Sequence, residues 1–437
     1  MQANSASGTS PAKLMGLTKR LPAVGVAVSL ALLVCSVLSA GVGFGEPASP
    51  SPPTAKLQLT DGDRIVYYGN TLLERDRHYG TLETMFRTRF PGRKLSFRNL
   101  AWPGDTVNVQ LRPLNFGSME RHLREQKPTV IFVSFGMNEA YQGAAGLSAY
   151  LEGYRRQLAM LQRLRARVIL LSPIRQERRG PPLPDPQNYN QNAGLYHAAT
   201  QKLANELRLT YIDLYNGLVP EHNSKFPLTE NGIHLSRYGY WRLSEEVARC
   251  LGLCPRWEVK LDFARQQLSL AQGTQLSELT WYADGLSFVA CDTVLPNPAP
   301  DGAPEGADVA AAHRRLVVVG LPPGNYQLYA NKQPLVKASH EEWGQGVILT
   351  SDPTYQQARK LREMIIEKDL LFFHRWRAHN GEYIYGRRSK PGGGNAGNPT
   401  FPTEFAQLEK LLLASDQSLD AQATPKPISY RLQRVLP

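Results

Sequence analysis

The sequence predicts an α/β protein. Its parallel sheet is covered by helices and is followed by a small antiparallel β-sandwich and a C-terminal helical segment. Three observations predict it. Between residues 60 and 253, short apolar runs alternate with long stretches at helical spacing, as expected for parallel strands buried on both faces. After Pro255 the apolar period changes to two. From about residue 351 it returns to helical spacing.

The chain has 437 residues, enough for two or three domains, and 42% hydrophobic composition supplies a real core. The formal charge of +12 comes from Lys and Arg dispersed along the chain. Dispersed charge reads as a solvated surface, and no nucleic-acid partner is expected.

At the N-terminus, Lys13, Lys19 and Arg20 precede an uncharged run from Leu21 to Gly45, with Ser39, Ala40 and Gly41 near its end. Residues 1–45 therefore read as an export signal. The run is longer than a usual signal core and nears the roughly 20 residues that span a bilayer, so an uncleaved membrane anchor is the alternative. Cys35 is a weak lipoprotein candidate, because Val34 stands where a small residue is expected. On each reading the remainder lies outside the cytoplasm: periplasmic, extracellular or anchored on the non-cytoplasmic side. Residues 46–59 open with a Pro/Ser-rich linker that has nothing to bury.

Within 60–253, Ile65 to Tyr68 is a short strand ending at Gly69, and Leu72, Tyr79, Leu82, Phe86 and Phe90 follow at helical spacing. Leu95–Leu100, Val130–Phe135, Val168–Leu171 and Tyr211–Leu214 read as further strands. Helices are expected over about Ser148–Leu164, Asn190–Leu207 and Arg237–Leu251. In the sandwich, residues 255–350, Trp257, Val259, Leu261 and Phe263 alternate with charged residues, and four more strands follow near 279, 286, 316 and 326. In the segment 351–437, helices are expected over Pro353–Arg377 and Phe405–Leu413. Between them Phe373–Lys390 mixes aromatics with bases, a candidate rim over a cleft or a docking surface. Cys250, Cys254 and Cys291 remain after the signal, and three thiols define no disulfide framework, although Cys250 and Cys254 are the closest pair. No Cys/His cluster has zinc spacing, so neither metal nor cofactor is expected.

Three turns carry the chemistry. Thr71 follows Gly69-Asn70 at a strand-to-helix turn, where a hydroxyl can face the sheet edge and helix N–H groups can stabilise negative charge. Thr71-Leu72-Leu73-Glu74 is also a capping-box sequence, in which Thr71 caps the helix and Glu74 reaches back. Asn138, in Gly136-Met137-Asn138-Glu139, follows the most apolar strand and could donate its amide to an oxyanion. Gly104, in Trp102-Pro103-Gly104-Asp105, would add a backbone N–H. His234 ends Asn231-Gly232-Ile233-His234 just before a helix, a poor place for a packing histidine.

In this order the blocks resemble those of the SGNH (GDSL-like) hydrolases. Gly69-Asn70-Thr71 resembles Gly-Asp-Ser, Gly104 the second-block glycine, Gly136-Met137-Asn138-Glu139 Gly-x-Asn-Asp, and Asn231 to His234 Asp-x-x-His. The resemblance covers about Gly62 to Leu251 and implies a flavodoxin-like parallel sheet. The whole plan, with its sandwich and Phe373-His374-Arg375-Trp376-Arg377 tail, also resembles exported planctomycete-type GDSL-like proteins. It implies acyl transfer with Thr71 as nucleophile and His234 as base, Gly104 and Asn138 in the oxyanion hole, and Asn231 beside His234. The implied substrate is an acylated carbohydrate, lipid or other small ester. Two departures matter. Threonine replaces serine at Thr71, and asparagine replaces aspartate at Asn231, removing the charge that would stabilise an imidazolium. The Asn231 carbonyl oxygen, Glu230, Glu139 or a backbone carbonyl could take its place. Asn70, Glu139 and Glu74 are auxiliary candidates, and a catalytically silent protein that binds glycans or acylated ligands is the alternative function. An envelope-interaction protein is a third.

Overall fold

The computed structural model describes residues 57–435 apart from 113–115, 222–223, 308–313 and 378–399, with backbone only for 400–403. The N-terminal run and most of Phe373–Lys390 lie outside the described residues.

Five parallel strands form the first sheet: β1 (Arg64–Gly69), β2 (Ser96–Asn99), β3 (Val130–Ser134), β4 (Arg167–Leu171) and β5 (Thr210–Ile212). Their order is β2-β1-β3-β4-β5. The strands are buried on both faces: Ile65 and Tyr67 enter one core, Val66 and Tyr68 the other. The helices Thr81–Arg89 and Arg237–Cys250 cover the first face through Leu82, Phe86, Leu243 and Val247. The helix Leu147–Gln162 covers the second through Tyr150, Tyr154 and Leu158. The helical spacing from Leu72 to Phe90 is delivered in three pieces, because Gly80 breaks it at φ 60°.

Among the described residues, nine strands build the sandwich. Its first sheet holds β6 (Trp257–Asp262), β7 (Gln267–Gln272), β10 (Arg314–Val319) and β13 (Val347–Ile348) in the order β13-β10-β6-β7. Its second holds β8 (Thr274–Tyr282), β9 (Gly285–Asp292), β11 (Asn325–Ala330), β12 (Gln333–Ser339) and β14 (Ile428–Arg434) in the order β12-β11-β14-β9-β8. The pairings are antiparallel except β6–β10, because the chain crosses to the second sheet before returning beside β6. Trp257, Val259 and Leu261 pack with Phe288, Tyr326 and Tyr430 between the sheets.

The helical segment is an excursion from this sandwich. Helices Pro353–Trp376 and Thr400–Ala423 leave it, and the chain returns as β14, paired with both β9 and β11. That last strand was not expected from the sequence, which assigned everything after 350 to helix and loop. The helices join the α/β domain: Phe372, Trp376 and Leu412 enter its second core. Arg87 bonds Glu83, Asp416 and the half-buried Asp420, and Lys368 bonds Glu83 and Asp369. Among the described residues no helix is long and apolar enough to cross a membrane. Among the described residues Cys250, Cys254 and Cys291 form no disulfide.

Candidate active site

The β2-β1-β3 order reverses the chain direction of sheet growth between β1 and β3, and ligands of open α/β sheets bind beyond the strand ends at such a point. Thr71 follows β1 and Asn138 follows β3, so the two lie on either side of it.

Gly69 ends β1 at φ 144°, and a Cβ there would stand 2.1 Å from the Ser134 carbonyl oxygen. Only glycine lets the two strands part this closely. The next residue corrects the expected capping box. Asn70, fully buried and in extended conformation, is the cap: its Oδ1 accepts from Leu72 N at 3.1 Å, and its own N–H donates to Ser134 O at 3.1 Å. Its Nδ2 has no partner among the described residues. Thr71 becomes the first helical residue, half-buried, and its hydroxyl makes no hydrogen bond among the described residues. Glu74 does not reach back to the helix start. Its buried carboxylate takes Arg77 Nε at 2.8 Å and lies 3.8 Å from the Arg377 guanidinium. The cap therefore sits one residue earlier than expected, and that shift frees the Thr71 hydroxyl.

Gly104 lies at φ 80° in an exposed turn, and its N–H makes no hydrogen bond within the described residues. Asn138 Nδ2 donates to Asp105 O at 2.9 Å, which locks the two loops together and leaves the second amide hydrogen for a ligand. Glu139 is a structural tie. Its buried carboxylate accepts from Val107 N and Gly136 N, each at 2.8 Å, and burial pushes its pKa up against those bonds. Asp105 is held by both terminal nitrogens of Arg112, at 2.8 and 2.5 Å.

The His234 turn is closed by a bridge between Thr229 and Leu235 and by Glu230 N donating to His234 O at 2.8 Å. Beneath it lies Glu177, a buried carboxylate that accepts from Leu228 N, Thr229 N and Thr229 Oγ1 at 3.2, 2.8 and 2.5 Å. Glu177 N also donates to Gly232 O at 2.8 Å. Asn231 Oδ1 accepts from Ile233 N at 3.2 Å and His234 N at 2.9 Å, so its Nδ2 faces His234 Nδ1 at 3.1 Å. This corrects the expectation that the Asn231 oxygen would accept from the imidazole, because that oxygen is already taken by backbone donors. Glu230 does not replace the missing aspartate either, since its oxygens take Arg75 at 2.9 Å and Tyr79 Oη at 2.6 Å. Burial, then the nearby Arg75 charge, holds the His234 pKa below its ordinary value, partly offset by Glu230. No hydrogen bond joins Thr71 and His234 among the described residues.

The wall beside Gly104 comes from the other end of the chain. Arg377, at the C-terminus of helix Pro353–Trp376, is buried with its guanidinium 3.7 Å from the Trp102 ring centre. It donates to Ala101 O at 2.8 Å, and desolvation lowers its pKa to about 10. Arg112 lies over the same indole at 4.4 Å. The aromatic-basic stretch thus starts at the second-block turn, although its residues 378–390 lie outside the described residues. Beyond Tyr79, a cavity of about 260 Å³ opens, lined by His78, Arg237, Asp301 and Arg359 among others. Among the described residues no group of three His, Cys, Asp or Glu side chains could hold a metal ion.

Sequence reasoning missed Glu177 and Arg75, and it reached Arg377 only as one member of the aromatic-basic stretch Phe373–Lys390. Glu177 sits in an aperiodic polar loop, and Arg377 reaches the site only because its helix docks there. No local pattern marks Glu177, and the aromatic-basic pattern around Arg377 does not say which turn it meets.

Residues 62–242 match the model of the GDSL-like Lipase/Acylhydrolase family. Among solved structures, a gut microbial diltiazem-metabolizing enzyme matches 88% of this chain and 100% of its own, at 16% identity and a TM-score of 0.69. The likeness therefore spans the α/β domain and extends well into the rest of the chain. An acetylxylan esterase from Geobacillus stearothermophilus, solved as a catalytic mutant, matches 45% of this chain and 97% of its own, at 15% identity and a TM-score of 0.35. An α/β hydrolase from the metagenome of Lake Arreo matches 45% of this chain and 97% of its own, at 16% identity and a TM-score of 0.36. No curated protein matches the chain. The 2-1-3-4-5 sheet and the four blocks in order lie within the family match, so residues 62–242 form a GDSL-like lipase/acylhydrolase domain with the SGNH fold.

Proposed function

We propose that the protein is an exported hydrolase of acyl esters, acting on acylated carbohydrate or another cell-envelope ester, with its N-terminal run as signal or anchor. One observation carries this reading: Thr71, Gly104 and Asn138 follow the carboxyl ends of β1, β2 and β3 around the switch point, and among the described residues the Thr71 hydroxyl, the Gly104 N–H and one Asn138 amide hydrogen make no hydrogen bond.

In the reaction, Thr71 Oγ1 bonds to the ester carbonyl carbon while its proton passes to His234 Nε2, a step that requires the ring in its Nδ1–H form. Gly104 N–H and Asn138 Nδ2 hold the oxyanion. The C–O bond to the alcohol breaks, and the imidazolium returns the proton to the departing oxygen. Water then repeats the sequence on the acyl-threonine, releasing the acid. Arg377 and Arg112, stacked on Trp102, hold the Gly104 loop in place.

A second reading has its own support. The turned Asn231 amide and the missing Thr71–His234 hydrogen bond favour a site that binds acylated ligands without cleaving them. Hydrolysis of p-nitrophenyl acetate and an acetylated oligosaccharide by the region from residue 46, alongside Thr71→Ala and His234→Ala, separates the two. Activity lost in both folded variants supports the hydrolase. No activity in the parent, or activity unchanged in the variants, supports the binder.

A further inference from the structure

We infer that Asn231 holds the neutral His234 ring in its Nε2–H form, so that the imidazole meets a ligand as a hydrogen-bond donor and not as the base Thr71 needs. The consequence for catalysis rests on the hydrolase reading, whereas the tautomer itself does not.

The inference follows from which groups can donate. Asn231 Oδ1 sits 2.9 Å from His234 N and 3.2 Å from Ile233 N, both backbone donors. Turning the amide over would set an NH2 group against two N–H groups, losing two hydrogen bonds and creating a donor–donor clash. The amide orientation is therefore dictated by the backbone, and Nδ2 is the atom facing His234 Nδ1 at 3.1 Å. A donor there requires a lone pair on Nδ1. The proton of the neutral ring then resides on Nε2, which has no hydrogen-bond partner among the described residues and is the nitrogen left to meet a ligand. Burial, then Arg75, disfavours the charged form of His234, partly offset by Glu230.

An Nε2–H cannot accept the Thr71 proton. The ring would first have to move its own proton to Nδ1, where the Asn231 amide already points a hydrogen. An aspartate at 231 has the same shape but a second acceptor oxygen in place of Nδ2. One oxygen would keep the backbone bonds and the other would draw the proton to Nδ1, leaving the Nε2 lone pair free. Asn231 is thus a positioning residue that works through His234. The converse exchange in a serine-protease triad costs about 10⁴ in turnover through the same tautomer error. Asn231→Asp is accordingly expected to speed p-nitrophenyl acetate hydrolysis by on the order of 10² to 10⁴.

The experiment is ¹⁵N NMR of the ¹⁵N-histidine-labelled region from residue 46 at pH 8, with His234→Gln to assign the signal and Asn231→Asp measured in parallel. Esterase rates of parent and Asn231→Asp accompany it, with thermal unfolding to show that both are folded. An Nε2–H ring in the parent, an Nδ1–H ring in Asn231→Asp and a faster variant support the inference. An Nδ1–H ring in the parent overturns it, whatever the rates. Equal, measurable rates despite the changed tautomer overturn its catalytic consequence. An Nε2–H parent with no hydrolysis by either protein supports the tautomer and refutes the hydrolase reading.

Discussion

Glu83 joins the α/β domain to the C-terminal helices, and its removal should show how strongly. Its carboxylate bonds Arg87 Nε at 2.8 Å and Lys368 Nζ at 2.5 Å, and all three side chains are at most 1% exposed. In Glu83→Gln neither cation is orphaned. Arg87 keeps Asp416 and Asp420, and Lys368 keeps Asp369 at 2.8 Å. The loss is therefore two charge-assisted hydrogen bonds of about 1.5–3 kcal/mol each. The glutamine oxygen retains part of one, leaving a cost of about 3 kcal/mol. Lys368→Met fills similar volume but strands the Asp369 carboxylate and leaves Glu83 with Arg87 alone, at about 3 kcal/mol. Because both variants remove the same Glu83–Lys368 bond, the double variant should fall short of the sum by about 2 kcal/mol. Urea unfolding followed by tryptophan fluorescence measures the cycle, and hydrogen exchange of helix Pro353–Trp376 localises it. Additivity within about 0.5 kcal/mol would refute the reasoning, because it would mean that this buried bond couples nothing.

Two further expectations concern the frame of the site. Gly69→Ala should abolish the soluble folded protein, since its Cβ would meet the backbone Ser134 oxygen at 2.1 Å. Gly104→Ala, whose Cβ meets nothing within 4 Å, should cost only the roughly 1–2 kcal/mol of a left-handed alanine, as judged by urea midpoints. Asp76 is buried, and desolvation raises its pKa to about 6 despite bonds from Thr81 and Leu82. In that window the unfolded chain releases its proton before the folded one does. The Asp76 contribution therefore becomes less favourable as pH rises from about 4 to 6, and is restored on acidification. Subtracting the pH profile of Asp76→Asn from that of the parent should isolate this slope, and a difference of opposite sign would contradict the assignment.

Much of the α/β domain was legible because its signals are local. The run Val130–Phe135 is apolar throughout, and a strand of that composition is stable only when buried on both faces. Helical periodicity located the helices Leu147–Gln162, Gln187–Glu206 and Arg237–Cys250 to within a few residues. Strands β7 and β12 escaped because neither buries a clean alternate face. Strand β14 does alternate, but seven residues far from their partners β9 and β11 announce no sheet of their own.

By itself the sequence determined the order of chemistry: a hydroxyl, an amide and an imidazole, each in a turn at the sheet, and the two substitutions that set Thr71 and Asn231 apart. Those properties depend on residue identity and on spacing within a few positions. Tertiary structure alone decided what each group does there. Asn70 took the helix cap because β1 parts from β3 at Gly69, which freed the Thr71 hydroxyl. Glu139 became a tie between loops, and Arg377 became a wall of the site because a distant helix docks beside Trp102. Asn231 turned its amide to the imidazole because the backbone of its own turn occupied the oxygen. Hydrogen bonds depend on which donors and acceptors meet in space, and distant pairings of that kind leave no period in the chain.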